Sequence, residues 1–325
     1  PVYGKKCVAD SQSGKVVVSG MRNRQPNGDL GKSGGTKNGY IPLHHAITHE
    51  TAFGYPRDFL QNRYVYLVIS PRAHGLSIGI NLNPLVRCTF DCVYCEVDRG
   101  QPPRATELDI DRMAAELRET LELARAGWLR QWPRYANLPE DLLEVRHVAV
   151  SGDGEPTLAE EFAGAMEAVA HVRAMSGFFK MVLITNSTAL DQPRVRDGLR
   201  FMTRDDEVWA KLDGGTQEYI SRVNGVTVSL KRILDNILLI GRERPIVIQS
   251  LFPAIQGMPP PVQEIEAYAQ RLKELKEAGA EIKLVQIYSA TRPMARLGCS
   301  HLPLRTLSEI AQTVRRVAGL RAEVY

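Results

Sequence analysis

Residues 88–95 read Cys88-Thr89-Phe90-Asp91-Cys92-Val93-Tyr94-Cys95, so three cysteines follow the spacing C-x3-C-x2-C. Thiolates are soft ligands that suit iron–sulfur clusters and zinc. A structural zinc site needs four protein ligands, and no further Cys or His stands close enough in the sequence to complete one. A cubane cluster on Cys88, Cys92 and Cys95 instead leaves one iron open for a small ligand. The run therefore predicts a 4Fe-4S cluster, with zinc as the alternative.

The cysteine run lies within a series of βα units. From about Leu76 onward, short apolar runs alternate with amphipathic stretches, which is the pattern of a parallel sheet covered by helices. The predicted strands are Ser77–Asn81, His147–Ser151, Met181–Thr185, Glu207–Leu212, Pro245–Leu251 and Ile282–Tyr288. The predicted helices are Asp109–Ala126, Leu158–Met175, Leu230–Ile240, Pro261–Ala278 and Thr306–Val317. Six such units predict an α/β fold, a partial TIM-like (β/α)6 barrel with an N-terminal extension, whose chemistry lies at the carboxyl ends of its strands.

Length and composition set the broad class of the protein. The chain has 325 residues, 44% of them hydrophobic and 24% charged, which is typical of a folded globular protein and excludes a wholly disordered one. Five cysteines, three of them within eight residues, are not a disulfide framework. The sequence contains no apolar run of membrane-spanning length and no secretory start, so we expect a cytoplasmic protein without a membrane partner.

The composition changes near residue 40, and we predict two parts. Residues 1–70 form a Gly-rich, basic extension that caps the barrel, and residues 71–325 form the barrel itself. Residues 1–38 contain seven Lys or Arg and two Asp, a net charge of +5, whereas the whole chain carries +4. An arm of this charge fits contact with RNA phosphates, and it equally fits a solvated tail.

A second motif follows the second predicted barrel strand, where residues 151–158 read Ser151-Gly152-Asp153-Gly154-Glu155-Pro156-Thr157-Leu158. Glycine at a strand end lets the backbone approach a ligand closely. The Glu155 carboxylate offers a partner for an ammonium group. The same residues also suit an ordinary helix start, but their place one βα unit after the cysteines favours a ligand site.

Polar residues end the next three predicted strands. Asn186 follows the third strand, Asp213 follows the fourth, and Gln249 lies near the end of the fifth. Residues at these positions of a βα barrel face the active site, so all three are candidate cofactor-binding residues. Routine loop capping is the alternative for each of them.

The cysteine spacing, with Tyr94 directly before the third cysteine, resembles the radical S-adenosylmethionine (radical SAM) superfamily. The resemblance implies that the open iron is chelated by the amino and carboxylate groups of S-adenosylmethionine. An electron from a donor such as flavodoxin or ferredoxin would pass through the cluster and break a carbon–sulfur bond, giving a 5′-deoxyadenosyl radical that abstracts hydrogen from a substrate. It also implies that residues 152–155, Asn186 and Asp213 contact S-adenosylmethionine.

The resemblance covers roughly Tyr64 to Arg296. Within the superfamily the sequence is similar to the wyosine tRNA base-synthesis group, through residues 151–158, 209–213 and 285–293. This similarity implies an RNA base as the substrate. The wyosine enzymes carry additional N-terminal cysteines for a second cluster, whereas this chain has only Cys7 in that region.

Three residues near the sixth predicted strand are candidates for contact with the substrate. Tyr288 ends that strand, and Arg292 follows with a guanidinium group suited to a phosphate or carboxylate. Cys299 follows the same strand, and it has three alternative interpretations: a hydrogen donor to a radical, a ligand of a second cluster, or a small buried side chain.

The sequence thus predicts an oxidoreductase of the radical SAM type that modifies an RNA base. Modification of a small molecule or a peptide is the alternative within the same chemistry. A metal-stabilised module that binds RNA or another partner without turnover is the alternative from a different class.

Overall fold

The computed structural model describes residues 59–97, 106–290 and 298–325. In this part of the chain the strands are β1 (Val65–Ser70), β2 (Gly75–Asn81), β3 (Val145–Ser151), β4 (Met181–Thr185), β5 (Glu207–Lys211), β6 (Ile246–Leu251), β7 (Ala254–Ile255), β8 (Ile282–Tyr288), β9 (Cys299–Ser300) and β10 (Ala322–Val324). The helices are α1 (Ile110–Arg125), α2 (Pro133–Ala136), α3 (Glu140–Leu143), α4 (Phe162–Ser176), α5 (Pro193–Leu199), α6 (Gln217–Asn224), α7 (Leu230–Gly241), α8 (Val262–Glu277) and α9 (Leu304–Ala318). Residues 1–58 of the predicted extension, Cys7 among them, and the candidate residue Arg292 lie outside the described residues.

One sheet carries the fold. Among the described residues, eight strands pair in the order β1-β2-β3-β4-β5-β6-β8-β10. β1 runs antiparallel to β2, and the other neighbours are parallel. β1 and β10 are the two edges of this order, so the sheet forms an open, partial barrel. The six predicted strands all occur in it in sequence order, and the prediction of an α/β partial barrel is confirmed.

The sheet extends beyond the six predicted strands at both edges. β1 falls within residues 1–70, the predicted extension, and pairs with β2 along its whole length. β10 has three residues, too few to show a strand pattern, and it is held by parallel pairing of Ala322 with Val285. Tertiary pairing, rather than local pattern, therefore sets the width of the sheet.

The helix predicted from Leu158 begins later, at Phe162. Glu155 accepts a hydrogen bond from the Thr157 backbone and caps a short 3-10 turn over Pro156–Leu158. Proline at the first position of that turn supplies the required backbone angle. α4 then starts after the turn and packs against α1 and α5.

Side chains alternate between two faces of the sheet. Val148 and Val150 of β3 belong to the large apolar core that the helices cover. The intervening Ala149 joins a small cluster on the opposite face with Val182, Trp209 and Val247. This alternation follows from the two-residue period of a strand and identifies the second face as the interior of the partial barrel.

Polar side chains share the interior face with that small cluster. Counting in steps of two from Ala149, Trp209, Val247 and Leu284 places on it His147, Ser151, Lys211, Gln249, Gln286 and Tyr288. A purely structural barrel core is filled with branched apolar residues. A polar interior is therefore the first structural indication of a binding site.

None of the helices in the described parts of the chain combines the length and the apolar composition needed to cross a bilayer.

Candidate active site

The predicted motifs meet at the carboxyl ends of the parallel strands. The loop after β2 carries the three cysteines, and the loop after β3 carries Gly152 to Glu155. Asn186 follows β4, and Asp213 stands two residues after β5. Because neighbouring parallel strands end at the same edge of a sheet, four segments far apart in sequence form one site.

Asn83 fastens the start of the cysteine loop to the loop after β3. Its buried amide donates to the carbonyl oxygens of Arg87, at 2.7 Å, and Glu155, at 3.1 Å. The Glu155 N–H donates to the same Arg87 oxygen at 2.9 Å. A Cβ on Gly154 would lie 2.3 Å from that oxygen, so glycine is required where the two loops touch. The first two motifs are therefore one structural unit.

A second contact between the same loops explains Gly152 and Asp153. Asn81, the last residue of β2, donates to the Asp153 carboxylate at 2.8 Å. A Cβ on Gly152 would lie 2.3 Å from the Asn81 side-chain oxygen, and the φ of Gly152 is +135°. L side chains rarely adopt this angle, so both the space and the backbone demand glycine.

The cysteine side chains differ in burial. Cys92 is 8% exposed, whereas Cys88 and Cys95 are half-buried. Burial raises the pKa of the Cys92 thiol to about 11. As a free thiol Cys92 is thus protonated, and ligation to a metal is the event that would remove its proton.

Two buried amides face the sulfur atoms. The Asn186 side-chain nitrogen lies 3.6 Å from Cys88 Sγ, and the Asn224 side-chain nitrogen lies 3.4 Å from Cys92 Sγ. Both asparagines are more than nine-tenths buried. Amides that donate toward sulfur stabilise thiolate ligands and tune the potential of an iron–sulfur cluster. This donor set fits a cluster better than it fits three unligated thiols.

In the described residues, no three His, Cys, Asp or Glu side chains are grouped to hold a metal ion. Such a group would bind a single metal ion at one point. In a cubane each of three cysteines binds a different iron atom, so the sulfur atoms stand further apart. The sequence spacing of Cys88, Cys92 and Cys95, and the amides that face Cys88 and Cys92, fit that arrangement.

The Glu155 carboxyl group ties the loop after β3 to the end of β4. One oxygen accepts from the hydroxyl groups of Thr157, at 2.6 Å, and Thr185, at 2.5 Å. The other oxygen accepts from the Asn186 N–H at 2.7 Å. Glu155 is 3% exposed, and burial raises its pKa despite these donors. The geometry thus gives Glu155 a scaffolding task, while its predicted contact with S-adenosylmethionine stays a prediction.

Asn186 is placed by its own network. Its amide nitrogen donates to Thr89 Oγ1 at 2.8 Å, and its oxygen accepts from the Thr188 hydroxyl at the same distance. The two threonine hydroxyls are 2.7 Å apart. Asn186 therefore bridges the end of β4 and the cysteine loop, while its predicted contact with S-adenosylmethionine stays a prediction.

Tyr94 and Asp213 are joined by a direct hydrogen bond. The Tyr94 hydroxyl donates to an Asp213 carboxylate oxygen, to which the Asn224 amide also donates at 2.7 Å. Burial, and then the charge of Asp213, raises the pKa of Tyr94 well above its usual value, so the phenol keeps its proton. The other Asp213 oxygen accepts from the Leu251 N–H at 2.8 Å. Asp213 therefore joins the cysteine loop to β6 and α6.

Lys211 supplies a positive charge at this place. Its ammonium nitrogen lies 3.7 Å from an Asp213 oxygen, 5.1 Å from the centre of the Tyr94 ring and 3.3 Å from the Tyr288 hydroxyl. Burial is the largest single influence and would lower the pKa of Lys211, but Asp213, Tyr288 and Cys92 together offset it, and the pKa lies above its usual value. The amine is therefore a fixed cation beside the cysteine loop.

The remaining predicted residues lie in different parts of the interior. The Gln249 amide donates to the Gln286 oxygen at 3.3 Å, away from the cysteine contacts described above. Tyr288 is covered by Arg72, whose guanidinium carbon lies 4.2 Å from the ring centre. Cys299 donates to the carbonyl oxygen of Val93 at 3.3 Å and so touches the cysteine loop itself. Tyr288 thus reaches the site through Lys211, and Cys299 reaches it through Val93.

Sequence reasoning missed three residues that hold this site together. Lys211 stands in the segment 209–213 that carries the similarity to the wyosine group, and Asn83 stands five residues before the first cysteine of the motif. Asn224 carried no signal, because an Asn-Gly pair at the end of a helix is an ordinary stop. In the structure Asn224 also accepts from the Asp91 N–H at 2.7 Å, so the end of α6 supports the cysteine loop.

Comparisons with known proteins agree with the fold. No family model matches the chain. A UPF0026 protein of Synechocystis is 28% identical over 176 residues, 53% of this chain and 57% of that protein. The chain spans less than two thirds of the length of the curated relatives it matches.

Two solved structures are similar to this chain in fold. Spore photoproduct lyase superposes with a TM-score of 0.50 and 11% identity, over 80% of this chain and 79% of that one. TYW1 gives a TM-score of 0.48 and 16% identity, over 75% and 74%. At this identity the likeness to the lyase shows a shared fold, which agrees with the predicted partial α/β barrel.

Proposed function

We propose that the protein is a radical SAM enzyme. The proposal rests on one observation above the others: the cysteine loop is bound at the carboxyl edge of the sheet by Asn83, Asn186 and Asn224, two of which also face sulfur atoms. When bound there, a 4Fe-4S cluster and S-adenosylmethionine would supply one-electron cleavage of a carbon–sulfur bond to yield a 5′-deoxyadenosyl radical. An electron donor such as flavodoxin or ferredoxin, in the reducing cytoplasm, suits such chemistry.

The chain's own residues would bind and orient these groups. Cys88, Cys92 and Cys95 would hold three irons, and the amides of Asn186 and Asn224 would donate to their sulfur atoms. The backbone of residues 152–154, held rigidly against the cysteine loop, would face the methionine part of S-adenosylmethionine. The polar interior face, with Lys211 and Tyr288 among its residues, would receive the substrate.

Reconstitution of the full chain tests the chemistry. Protein loaded with iron and sulfide without oxygen is expected to contain about four irons per chain. With dithionite and S-adenosylmethionine it should release 5′-deoxyadenosine. Cys92→Ala is expected to lose both properties, and Cys7→Ser, a cysteine outside the motif, should keep the iron. One zinc per chain without iron, or no cleavage by fully loaded protein, would reject the proposal.

We propose an RNA base as the substrate. This step rests on the similarity of residues 151–158, 209–213 and 285–293 to the wyosine group and on the net charge of +5 in residues 1–38. Unmodified tRNA should then raise 5′-deoxyadenosine release above the rate without substrate, and the effect should weaken with salt. If a small metabolite or a peptide raises it and tRNA does not, the substrate belongs to the other class.

A further inference from the structure

A buried ion pair lies between the polar interior and the cysteine loop. Lys211 is the last residue of β5, and Asp213 follows two residues later. The Lys211 side chain is 16% exposed, the Asp213 side chain is fully buried, and their charged atoms lie 3.7 Å apart. Water and salt screen a buried charge much less than an exposed one. The two charges therefore act over a longer range here than they would on the surface.

Both charges are held in place by the cysteine loop and its neighbours. The Lys211 ammonium lies 5.1 Å from the centre of the Tyr94 ring. The Asp213 carboxylate accepts from three donors, which are the Tyr94 hydroxyl, the Asn224 amide and the Leu251 N–H. Several donors to one carboxylate favour its ionised form. Asp213 would therefore keep its negative charge even if the lysine were removed.

The Asn224 amide connects this ion pair to the cysteines. Its nitrogen lies 2.7 Å from Asp213 Oδ2 and 3.4 Å from Cys92 Sγ. The Lys211 ammonium lies 3.7 Å from the same Asp213 oxygen. Joined end to end, these contacts place the carboxylate within about 6 Å of Cys92 Sγ and the ammonium within about 10 Å. One of the three predicted cluster ligands is thus in range of both charges.

Charges at this distance matter to a group whose own charge changes. Reduction adds one electron to an iron–sulfur cluster, and the surrounding charge is one of the features that set its potential. A nearby cation stabilises the reduced form, whereas a nearby anion destabilises it. We propose that Lys211 offsets the charge of Asp213 and so raises the reduction potential of the cluster, which makes it easier for an electron donor to reduce. The effect requires the cluster and therefore rests on the proposed function.

Coulomb's law gives the size of the effect. At about 10 Å, with an effective dielectric constant of about 20, one unit charge changes a one-electron equilibrium roughly tenfold. For one electron a tenfold change corresponds to about 59 mV. Lys211→Met removes the charge and keeps a side chain of similar length. The potential of its cluster should therefore be lower than that of wild type by about this amount.

Redox titration of the reconstituted full chain at pH 8, without S-adenosylmethionine and followed by electron paramagnetic resonance, measures the potential. Lys211→Met should bind as much iron as wild type, because the amine contacts Asp213 and two tyrosines rather than the sulfur atoms. Lys211→Gln is also neutral, and its amide can still donate to Asp213, so it should show the same shift and serves if Lys211→Met does not fold. Lys211→Arg keeps the charge and should retain most of the wild-type potential.

Lys180→Met is the matched control. It breaks an ion pair of 2.6 Å with Glu207 at the amino end of the same sheet, far from the cysteines, and should change the potential much less. A lysine with only a structural role would affect iron content or stability and leave the potential of fully loaded protein unchanged.

Iron content and potential separate two kinds of failure. Wild type that binds no iron would reject the proposed function and this role of Lys211 together. Fully loaded Lys211→Met and Lys211→Gln with the wild-type potential, or with a shift no larger than that of Lys180→Met, would overturn the role of Lys211 and leave the proposed function standing.

Discussion

The buried histidine of β3 should make the stability of the protein depend on pH. His147 is 4% exposed and packs edge-on against Trp209, with ring centres 5.4 Å apart. Burial, and then the nearby Lys180 ammonium, lowers the pKa of His147 from 6.5 to about 4. In the unfolded chain the imidazole regains its usual pKa. Between these two values the unfolded state binds more protons, so stability falls as the pH falls.

The two pKa values set the size of the effect. Above about pH 7 both states are neutral at His147 and the contribution to stability is complete. From pH 7.5 to pH 5 the linkage removes about 2 kcal/mol, and below pH 4 the loss approaches about 3 kcal/mol. This is a large part of the unfolding free energy of an ordinary protein, which is roughly 5–15 kcal/mol.

Urea unfolding of the metal-free chain at pH 5, 6 and 7.5, in buffer without phosphate, measures this pH dependence of the unfolding free energy. His147→Phe keeps a ring against Trp209 but has no proton to bind, so its stability should fall less on acidification. The difference in unfolding free energy between wild type and His147→Phe should change by about 2 kcal/mol from pH 7.5 to pH 5. Lys180→Met should show a shallower dependence than wild type. A difference that stays constant over this range would refute the argument.

Three substitutions at the cysteine site give further expected results in urea unfolding of the metal-free chain. Asn224→Leu should lower the unfolding free energy by about 2 kcal/mol, because the buried amide donates to the Asp213 carboxylate; an unchanged value would contradict this. Gly154→Ala should lower the unfolding free energy by about 1–3 kcal/mol, since its Cβ would collide with the Arg87 carbonyl oxygen. In a separate reconstitution, the same variant should bind less iron than wild type. Glu155→Gln should lower the unfolding free energy by about 1–2 kcal/mol, because a neutral amide replaces a charged acceptor of several hydrogen bonds. Equal stability of variant and wild type would show that the Glu155 carboxyl group is already protonated.

The sequence predicted the repeated units well because their signal is local. β4 is apolar up to its last residue and β6 begins with the apolar run Ile246–Ile248, as strands covered on both faces do. The six predicted strands occur with their ends shifted by two residues or fewer. β5 ends at Lys211, one residue earlier than predicted, and the leading Pro245 stays outside β6. Proline lacks the N–H that pairing requires. These shifts do not move any predicted site residue away from its strand end.

The contacts between motifs could not be predicted in the same way. The sequence places Gly154 and Arg87 in separate motifs, and nothing in either shows that they touch. Asn224 reaches Cys92 across 132 residues, from a helix end that looks ordinary in sequence. Such contacts depend on where a loop of irregular backbone settles, and this is decided by packing after the strands have paired. The kinds of residue at the site were therefore predictable, whereas their partners were not.

The polar interior of the sheet connects these observations. The helix-covered face holds the large core, so the interior face, with its smaller apolar cluster, can also carry polar side chains such as His147, Lys211 and Tyr288. The interior has two ends of different chemistry. At the carboxyl end, Lys211 is balanced by Asp213 beside the cysteines, whereas at the amino end one carboxylate, that of Glu207, lies near both Lys180 and Lys283. Because Arg72 and Lys211 both contact Tyr288, this one ring links the two ends of the interior.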